Sequence, residues 1–443
     1  MPLDSVVRML LGLTLGLHII LAMAGMALPL FFAVAEYLGL RRGDADYLGL
    51  ARQGSRAFTV VFAVGAVTGT LVAVELAILW APFMAVASQV IILPFVIEGF
   101  AFVLEGAFIG MYLYGWDRFQ SPWLHWWTSI PIVVASAASG LLITLVNAFM
   151  NAPSGFRIVH GRVVDVQPWR AMFSPGSGIE LLHVMCAAYA TVALLLLSLA
   201  ALDLLRRGIP RPAARKAVAL SAWTGGLALL GSVITGDAAG KWLAVHQPEK
   251  LAAIEGLFHT QRYAPEALGG LVSTLHHTIY GAIDIPGLLS WLSFGELRHP
   301  VTGLLRFPPS TWPPTALVHL LFDLMVGVGS LLLLTTAVVA YAHHRLPELP
   351  RWLLRAAVAA GPAGVVVMES GWLVDEFGRQ PWVIYDVMRV DAGISHAPGV
   401  AVIGWGILVL LVLLFAAAPY AVVRIVRAGA TQATQPAPPA AVR

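Results

Sequence analysis

Cysteine is almost missing: Cys186 is the only one in 443 residues. It lies inside an apolar run, so the sequence offers neither a disulfide framework nor a thiolate metal site. Charge is scarce too. Asp, Glu, Lys and Arg make up 12% of the chain against 58% hydrophobic residues, and mean hydropathy is +0.80. A water-soluble domain has no use for that much apolar surface, which leaves an integral membrane protein. The net charge of +3 is small, and its Arg residues sit in short clusters between apolar runs. That distribution is the loop bias of membrane proteins and excludes a nucleic-acid-binding face. The apolar N-terminus lacks a small-residue cleavage site followed by a soluble domain, so it reads as a first membrane helix.

Nine apolar segments have the length of about 20 residues that a hydrocarbon core demands. They lie near 9–38, 55–80, 88–114, 124–150, 179–205, 214–236, 315–342, 353–375 and 397–423. Lipid satisfies no backbone group, so all must be helices, and they are too long and too continuously apolar for barrel strands. The expected fold is an all-α integral membrane protein: helices 1–6 within 1–236, a long loop at 237–314, helices 7–9 within 315–423. The Ala/Pro-rich tail, 424–443, is expected to be disordered. Arg41, Arg42, Arg52 and Arg56 fill the first loop, and Arg118 the third. Arg206, Arg207, Arg211, Arg215 and Lys216 fill the fifth, Arg345 and Arg351 the seventh, and Arg424, Arg427 and Arg443 the tail. Positive loops face the cytoplasm, so the N-terminus is expected outside, the C-terminus inside, and the long loop between helices 6 and 7 outside. Arg157, Arg162 and Arg170 in the fourth loop oppose this and are outvoted.

Against that apolar background the polar residues stand out. His18 and His183 lie well inside apolar segments with no charge nearby. A membrane-embedded imidazole bonds either to a neighbouring helix's carbonyl or to a metal, and neutral imidazole is a good iron ligand. Glu98 and Glu105 are about two turns apart on one helix face, which points to a proton relay or a ligand. Glu75 is a weaker candidate of that type. Met325, early in the seventh segment, gains interest as a thioether partner to His183. The richest stretch is Gly371-Trp372-Leu373-Val374-Asp375-Glu376-Phe377-Gly378-Arg379-Gln380-Pro381-Trp382, with two carboxylates and an arginine at the end of a membrane helix. With the N-terminus outside, His18, Glu98, His183, Met325 and Glu376 are expected at similar depth toward the outer face. Cys-X-X-Cys-His is absent, so a haem there would be held without covalent attachment.

Together these residues resemble subunit I of the cytochrome bd family of quinol oxidases, over essentially the whole chain. The block from Gly371 to Trp382 carries the likeness, with Gly115-Trp116-Asp117-Arg118, the run from Glu105 to Gly110, and Asn147 to Pro153. Gly236-Asp237 and the run from Gln247 to Glu255 complete it. The resemblance implies a low-spin b haem on His183 and Met325, and two further haems on His18, Glu98 and Glu376. Those two are a high-spin b and a d, or a second high-spin b. It further implies quinol at Lys250 and Glu255 with Asp237 nearby, Glu105 on a proton route, Trp372 between haems, and Arg379 neutralising haem propionates. A homologous membrane subunit II is implied as partner, joined in some members by a small single-helix subunit. The setting implied is the bacterial plasma membrane. Oxidising quinol outside and drawing protons for oxygen from inside would charge the membrane without a pump.

The likeness has departures. Asp323 stands two residues before Met325, where the family often has a basic residue, and an ionised carboxylate there is expected to lower the haem potential. Asn151 replaces the family's usual Gln, and the short outer loop suits the cyanide-insensitive branch. Two other classes compete: a haem-bearing scaffold or sensor without turnover, and a proton-coupled transporter. Lys250 and Glu255 argue against the first. No internal repeat of the kind transporters carry is evident against the second.

Overall fold

The computed structural model describes residues 3–160, 162–207 and 212–433. Among them are nine helices long and apolar enough to cross a membrane. They are α1 Leu3–Arg42, α2 Ala45–Leu79, α3 Ala81–Gly115, α4 Pro122–Asn151, α5 Ser177–Arg206, α6 Pro212–His246, α7 Thr315–Arg345, α8 Arg351–Gly378 and α9 Val400–Arg424. The expected segments are all present, but most helices outrun them. The apolar run marks only the hydrocarbon depth, and a helix satisfies its own backbone beyond it. The largest difference is in α6, which continues past Asp237 to His246. Lys241 bonds Asp237 at 2.5 Å one turn away, and the helix stops just before Pro248. Asp237 is therefore helical, not in the loop. The helix of α9 runs on to Ala433, through the start of the tail expected to be disordered; residues 434–443 lie outside the described residues.

The chain divides into two compact units. One comprises Met1–Leu79, Gly99–Gly140 and His396–Arg443; the other comprises Trp80–Glu98 and Leu141–Ser395. In the first, α1 packs along α2 and α9, with Val72, Ile407 and Leu411 buried among leucines of α1 and α2. In the second, α5 packs between α6 and α8, and α7 lies against α6 and α8. The core there includes Leu194, Leu197, Val218, Leu332, Val339 and Ala357. Small residues set the α5–α8 spacing: a Cβ on Gly361 would come 2.6 Å from that of Ser198. Outward-facing side chains remain apolar, as with Phe100 and Val103 at 72% and 70% exposed, which suits lipid or a partner helix.

Short strands decorate the connections. β1 (Arg157–Val159) pairs antiparallel with β2 (Arg162–Val164). In the long connection, β3 (Glu266–Leu268) pairs with β6 (Ile283–Ile285), enclosing β4 (Leu271–Ser273) paired with β5 (Thr278–Tyr280). Beyond α8, β7 (Trp382–Ile384) pairs with β8 (Met388–Arg389). The long connection is folded rather than loose. It opens with a short helix, Pro248–Ile254, and carries a second at Leu288–Phe294. Phe258 and Leu304 bury beside Ala252 and Ala253 of the short helix, and Val272 of β4 packs against that cluster.

Candidate functional site

The two intramembrane histidines meet the same partner type. His18 Nδ1 lies 2.9 Å from Thr68 Oγ1, and that hydroxyl donates to the Gly65 carbonyl at 3.0 Å. His183 Nδ1 lies 2.9 Å from Thr235 Oγ1, which donates to the Gly231 carbonyl at 2.8 Å. A hydroxyl has one proton. Both are committed to the helix backbone, so each threonine accepts from Nδ1–H, and the neutral ring's lone pair is left on Nε2. In both cases a glycine follows the threonine. A Cβ on Gly69 would come 3.2 Å from His18 Cε1, and one on Gly236 3.5 Å from His183 Cε1. The constellation thus occurs twice, once in each unit, a local repeat that the sequence reading missed because the partners lie 50 and 52 residues from their histidines.

These donors suit haem iron. Among the described residues no three of His, Cys, Asp and Glu converge on a metal-sized site. The imidazoles arrive one at a time, each with Nε2 left as a donor, and would suit a haem, whose porphyrin brings its own nitrogens to the iron. Met325 has its own clearance: a Cβ on Gly371 would come 2.9 Å from the Met325 sulfur. Trp372 follows that glycine, half-buried.

At the end of α8 a buried polar cluster forms. Lys250 Nζ donates to Asp375 Oδ1 at 2.6 Å and to Asn151 Oδ1 at 3.3 Å. Asn147 donates to Asp375 at 2.6 Å and to Glu180 at 2.9 Å, and accepts from Arg379 Nη1 at 2.9 Å. Arg379 Nη2 donates to Glu376 at 2.6 Å, and the arginine is 1% exposed. Arg379, expected at haem propionates, here holds Glu376 through a charge-assisted bond. Lys250, expected beside Glu255, is turned to Asp375. Asn151, the departure from glutamine, bonds both Asp375 and Lys250.

Glu255 has different company. It is buried, as is Glu266 of β3, and both carboxyls are pushed above their ordinary range. The causes for Glu255 are burial, then the Glu266 and Asp323 charges; for Glu266 burial leads as well. His319 completes the group. Its Nδ1 donates to the Ile254 carbonyl at 2.8 Å; its Nε2 lies 3.3 Å from the Gly269 carbonyl and 3.3 Å from Asp323 Oδ2. Asp323 thus has the His319 imidazole one helical turn away. Neither Glu266 nor His319 stood out in the sequence; the His319–Asp323 spacing of one helical turn was the available signal.

In the other unit, Glu105 is 4% exposed and accepts from Ser136 at 2.5 Å. Glu75 accepts from Thr14 at 2.6 Å. His18 belongs to this unit, whereas Glu98, His183, Met325 and Glu376 belong to the other.

The class these features define is a membrane-embedded haem protein. The chain belongs to the cytochrome bd terminal oxidase subunit I family, whose model matches residues 6–430. It is similar to a protein provisionally named cytochrome bd menaquinol oxidase subunit I of Bacillus subtilis (strain 168). Identity there is 38% over 401 residues, 89% of this chain and 90% of that one. It is 26% identical over 448 residues to the cytochrome bd-II ubiquinol oxidase subunit 1 of Escherichia coli (strain K12), covering 85% and 87% of the two. Among solved structures, the bd oxidase from Geobacillus thermodenitrificans matches with a TM-score of 0.90 and 38% identity, covering 96% of this chain and 98% of that one. The resemblance read from the motifs is thus borne out, and neither the scaffold nor the transporter is favoured. A subunit I implies at least one further membrane subunit.

Proposed function

We propose that this chain oxidises quinol at its outer loop and reduces dioxygen to water, as a subunit of a respiratory oxidase in a bacterial plasma membrane. The names of the relatives support the substrate class, and the loop arginines support an N-terminus outside and a C-terminus in the cytoplasm. The observation that carries the reading is the threonine-locked pair His18 and His183, each with Nε2 left for iron. When bound, the haems, two of b type with a third of d or b type, supply the electron relay and the place where dioxygen is reduced.

The chain's own residues divide the remaining work. His183 and Met325 hold the low-spin haem b; His18, Glu98 and Glu376 serve the oxygen-reducing pair. Arg379 fixes the Glu376 carboxylate from a fully buried position. Trp372 lies on α8 between the glycine facing Met325 and Glu376, and so links the two groups of ligands along one helix. Glu255 takes the proton of bound quinol, and the proton affinity that burial raises suits a general base. Lys250, held by Asp375, and Asp237, partly exposed in the last third of α6, complete the quinol region. Glu105, hydrogen-bonded by Ser136, carries protons inward from the cytoplasm. A homologous subunit II and a small single-helix subunit cover part of the exposed apolar surface that includes Phe100 and Val103.

A reduced-minus-oxidised visible spectrum with pyridine-haem extraction tests this. Haem b with a chlorin band in the red is the expected result. Haem b alone makes the third haem b-type, and folded protein without haem overturns the ligand assignment.

A further inference from the structure

In the long connection, β4 and β5 carry apolar side chains on both faces. Leu271 stands directly opposite Tyr280, and in the adjoining pair Leu268 of β3 stands opposite Ile283 of β6. All four are exposed, Leu271 at 72% and Ile283 at 69%, and Leu275 in the turn between β4 and β5 reaches 82%. The alternate pair, Val272 and Ile279, points the other way. Val272 packs against the cluster of Phe258, Leu304, Ala252 and Ala253, and a Cβ on Gly256 would come 2.7 Å from Ile279 Cδ1. That face is covered by the protein. A strand pair whose second face meets water makes that face polar. Here it holds leucine, isoleucine and tyrosine, and between Glu266 and Asp284 the sequence has no Asp, Glu, Lys or Arg.

The level of this surface follows from α7. His319 opens the second turn of that helix, and its Nε2 lies 3.3 Å from the Gly269 carbonyl. Gly269 therefore sits level with that turn, and Leu268 and Leu271, on either side of Gly269-Gly270, go with it. On α7 the outward residues at that level are again leucines, Leu317 and Leu320, both exposed. The uninterrupted apolar run of the helix begins only at Leu324, about 7 Å deeper by the helix rise. This is the depth of the boundary between headgroups and acyl chains. The backbone asks for the same depth, because open strand edges find no partner in hydrocarbon but do in the wet headgroup layer. Tyr280 fits it as well, with an apolar ring and a hydroxyl 2.9 Å from His276 Nδ1. We propose that the nested hairpin is a membrane-interface anchor, with Leu268, Leu271, Leu275, Tyr280 and Ile283 seated in the lipid surface at the N-terminal end of α7. The anchor rests on α7 as a membrane helix and not on the quinol assignment. It adds to that assignment, because Val272 ties the hairpin to the short helix that Glu255 caps, and so holds the proposed base beside the lipid in which a quinol dissolves.

Single-cysteine fluorescence in the assembled oxidase tests the anchor. In a Cys186→Ser background, Leu275→Cys carrying the environment-sensitive dye NBD is reconstituted into phosphatidylcholine nanodiscs. Glu296→Cys, at a strongly exposed carboxylate of the same connection, is the water reference. Emission at 275 should be blue-shifted from that at 296, and phosphatidylcholine with a nitroxide on its acyl chain should remove most of it. Energy transfer to haem dims the dye with and without the nitroxide alike, so the quenching ratio stands. Emission at 275 that matches 296 and yields to aqueous iodide overturns the proposal. Blue-shifted emission that neither quencher reaches means that a protein partner covers the hairpin, and overturns it too. Tyr280→Cys, labelled in the same way, decides if the 275 variant does not assemble. Leu271→Ser with Ile283→Ser reads the link to the quinol site. The KM for a long-tailed quinol in proteoliposomes should rise, with the dithionite-reduced haem spectrum unchanged. An unmoved KM beside lipid quenching at 275 keeps the anchor and overturns only that link.

Discussion

Lys250 donates to Asp375 at 2.6 Å, and with Asn151 and Asn147 it ties the short helix Pro248–Ile254 to the end of α8. Lys250 is 4% exposed, so its charge is compensated chiefly by this partner. Replacing it with Met leaves Asp375 buried without its ammonium, which for buried pairs costs roughly 3–5 kcal/mol. The Asp375 side chain keeps 29% exposure, so the loss should lie near the lower figure. Thermal unfolding of the purified complex should show a lower transition for Lys250→Met. Lys250→Met with Asp375→Asn should cost less than the sum of the two, by on the order of 1 kcal/mol. Strict additivity would mean that the pair does not couple.

The sequence and the structure agree where a single residue carries the signal. The nine spans are legible because hydrocarbon thickness dictates their length, and His18 and His183 because a polar ring stands out in an apolar run. Helix ends are not legible: nothing in composition stops α6 at Asp237, since an Asp237–Lys241 pair is as helical as what precedes it. Partners are the harder part. Thr68 and Thr235 look like any threonine in a membrane helix, and only helix packing brings them to their histidines. Glu266 sits on a three-residue strand with no periodicity, and only the folding of the long connection buries it.

Thr235 should tune the haem held by His183. Accepting the Nδ1 proton makes the imidazole a stronger donor and favours ferric iron. Thr235→Val removes the acceptor, so the midpoint of the low-spin haem should rise. A hydrogen bond worth ~1 kcal/mol corresponds to at most about 40 mV for one electron. Thr235→Ser should restore the wild-type midpoint. Redox titration at the α-band reads this directly, and an unmoved midpoint in the valine variant would remove the tuning role.

Gly371→Ala should separate folding from haem binding. The new methyl would sit 2.9 Å from the Met325 sulfur. An unligated thioether is flexible and swings away cheaply. A sulfur fixed on iron cannot. The variant should therefore insert and fold like wild type while its low-spin haem signal weakens or becomes high-spin. Full retention of the reduced α-band would show that Met325 is not the ligand.

Folding of the long connection between α6 and α7 should weaken as pH rises. Burial and the neighbouring carboxylates push Glu255 up, and burial pushes Glu266 and Glu249 up, from an ordinary value of 4.5. An acid with a raised folded pKa favours the protonated native form. Its contribution is fully present below the unfolded value and is lost as pH climbs from there through the folded one. Hydrogen exchange in β3 and β6, corrected for the intrinsic rate, should therefore report more opening at pH 8 than at pH 5. Glu266→Gln removes one titrating carboxyl and relieves the charge on Glu255, so that pH dependence should shrink, with the part set by the burial of Glu255 and Glu249 remaining. Protection that is flat from pH 5 to 8 in the wild type would show that these carboxyls do not titrate abnormally in the folded chain.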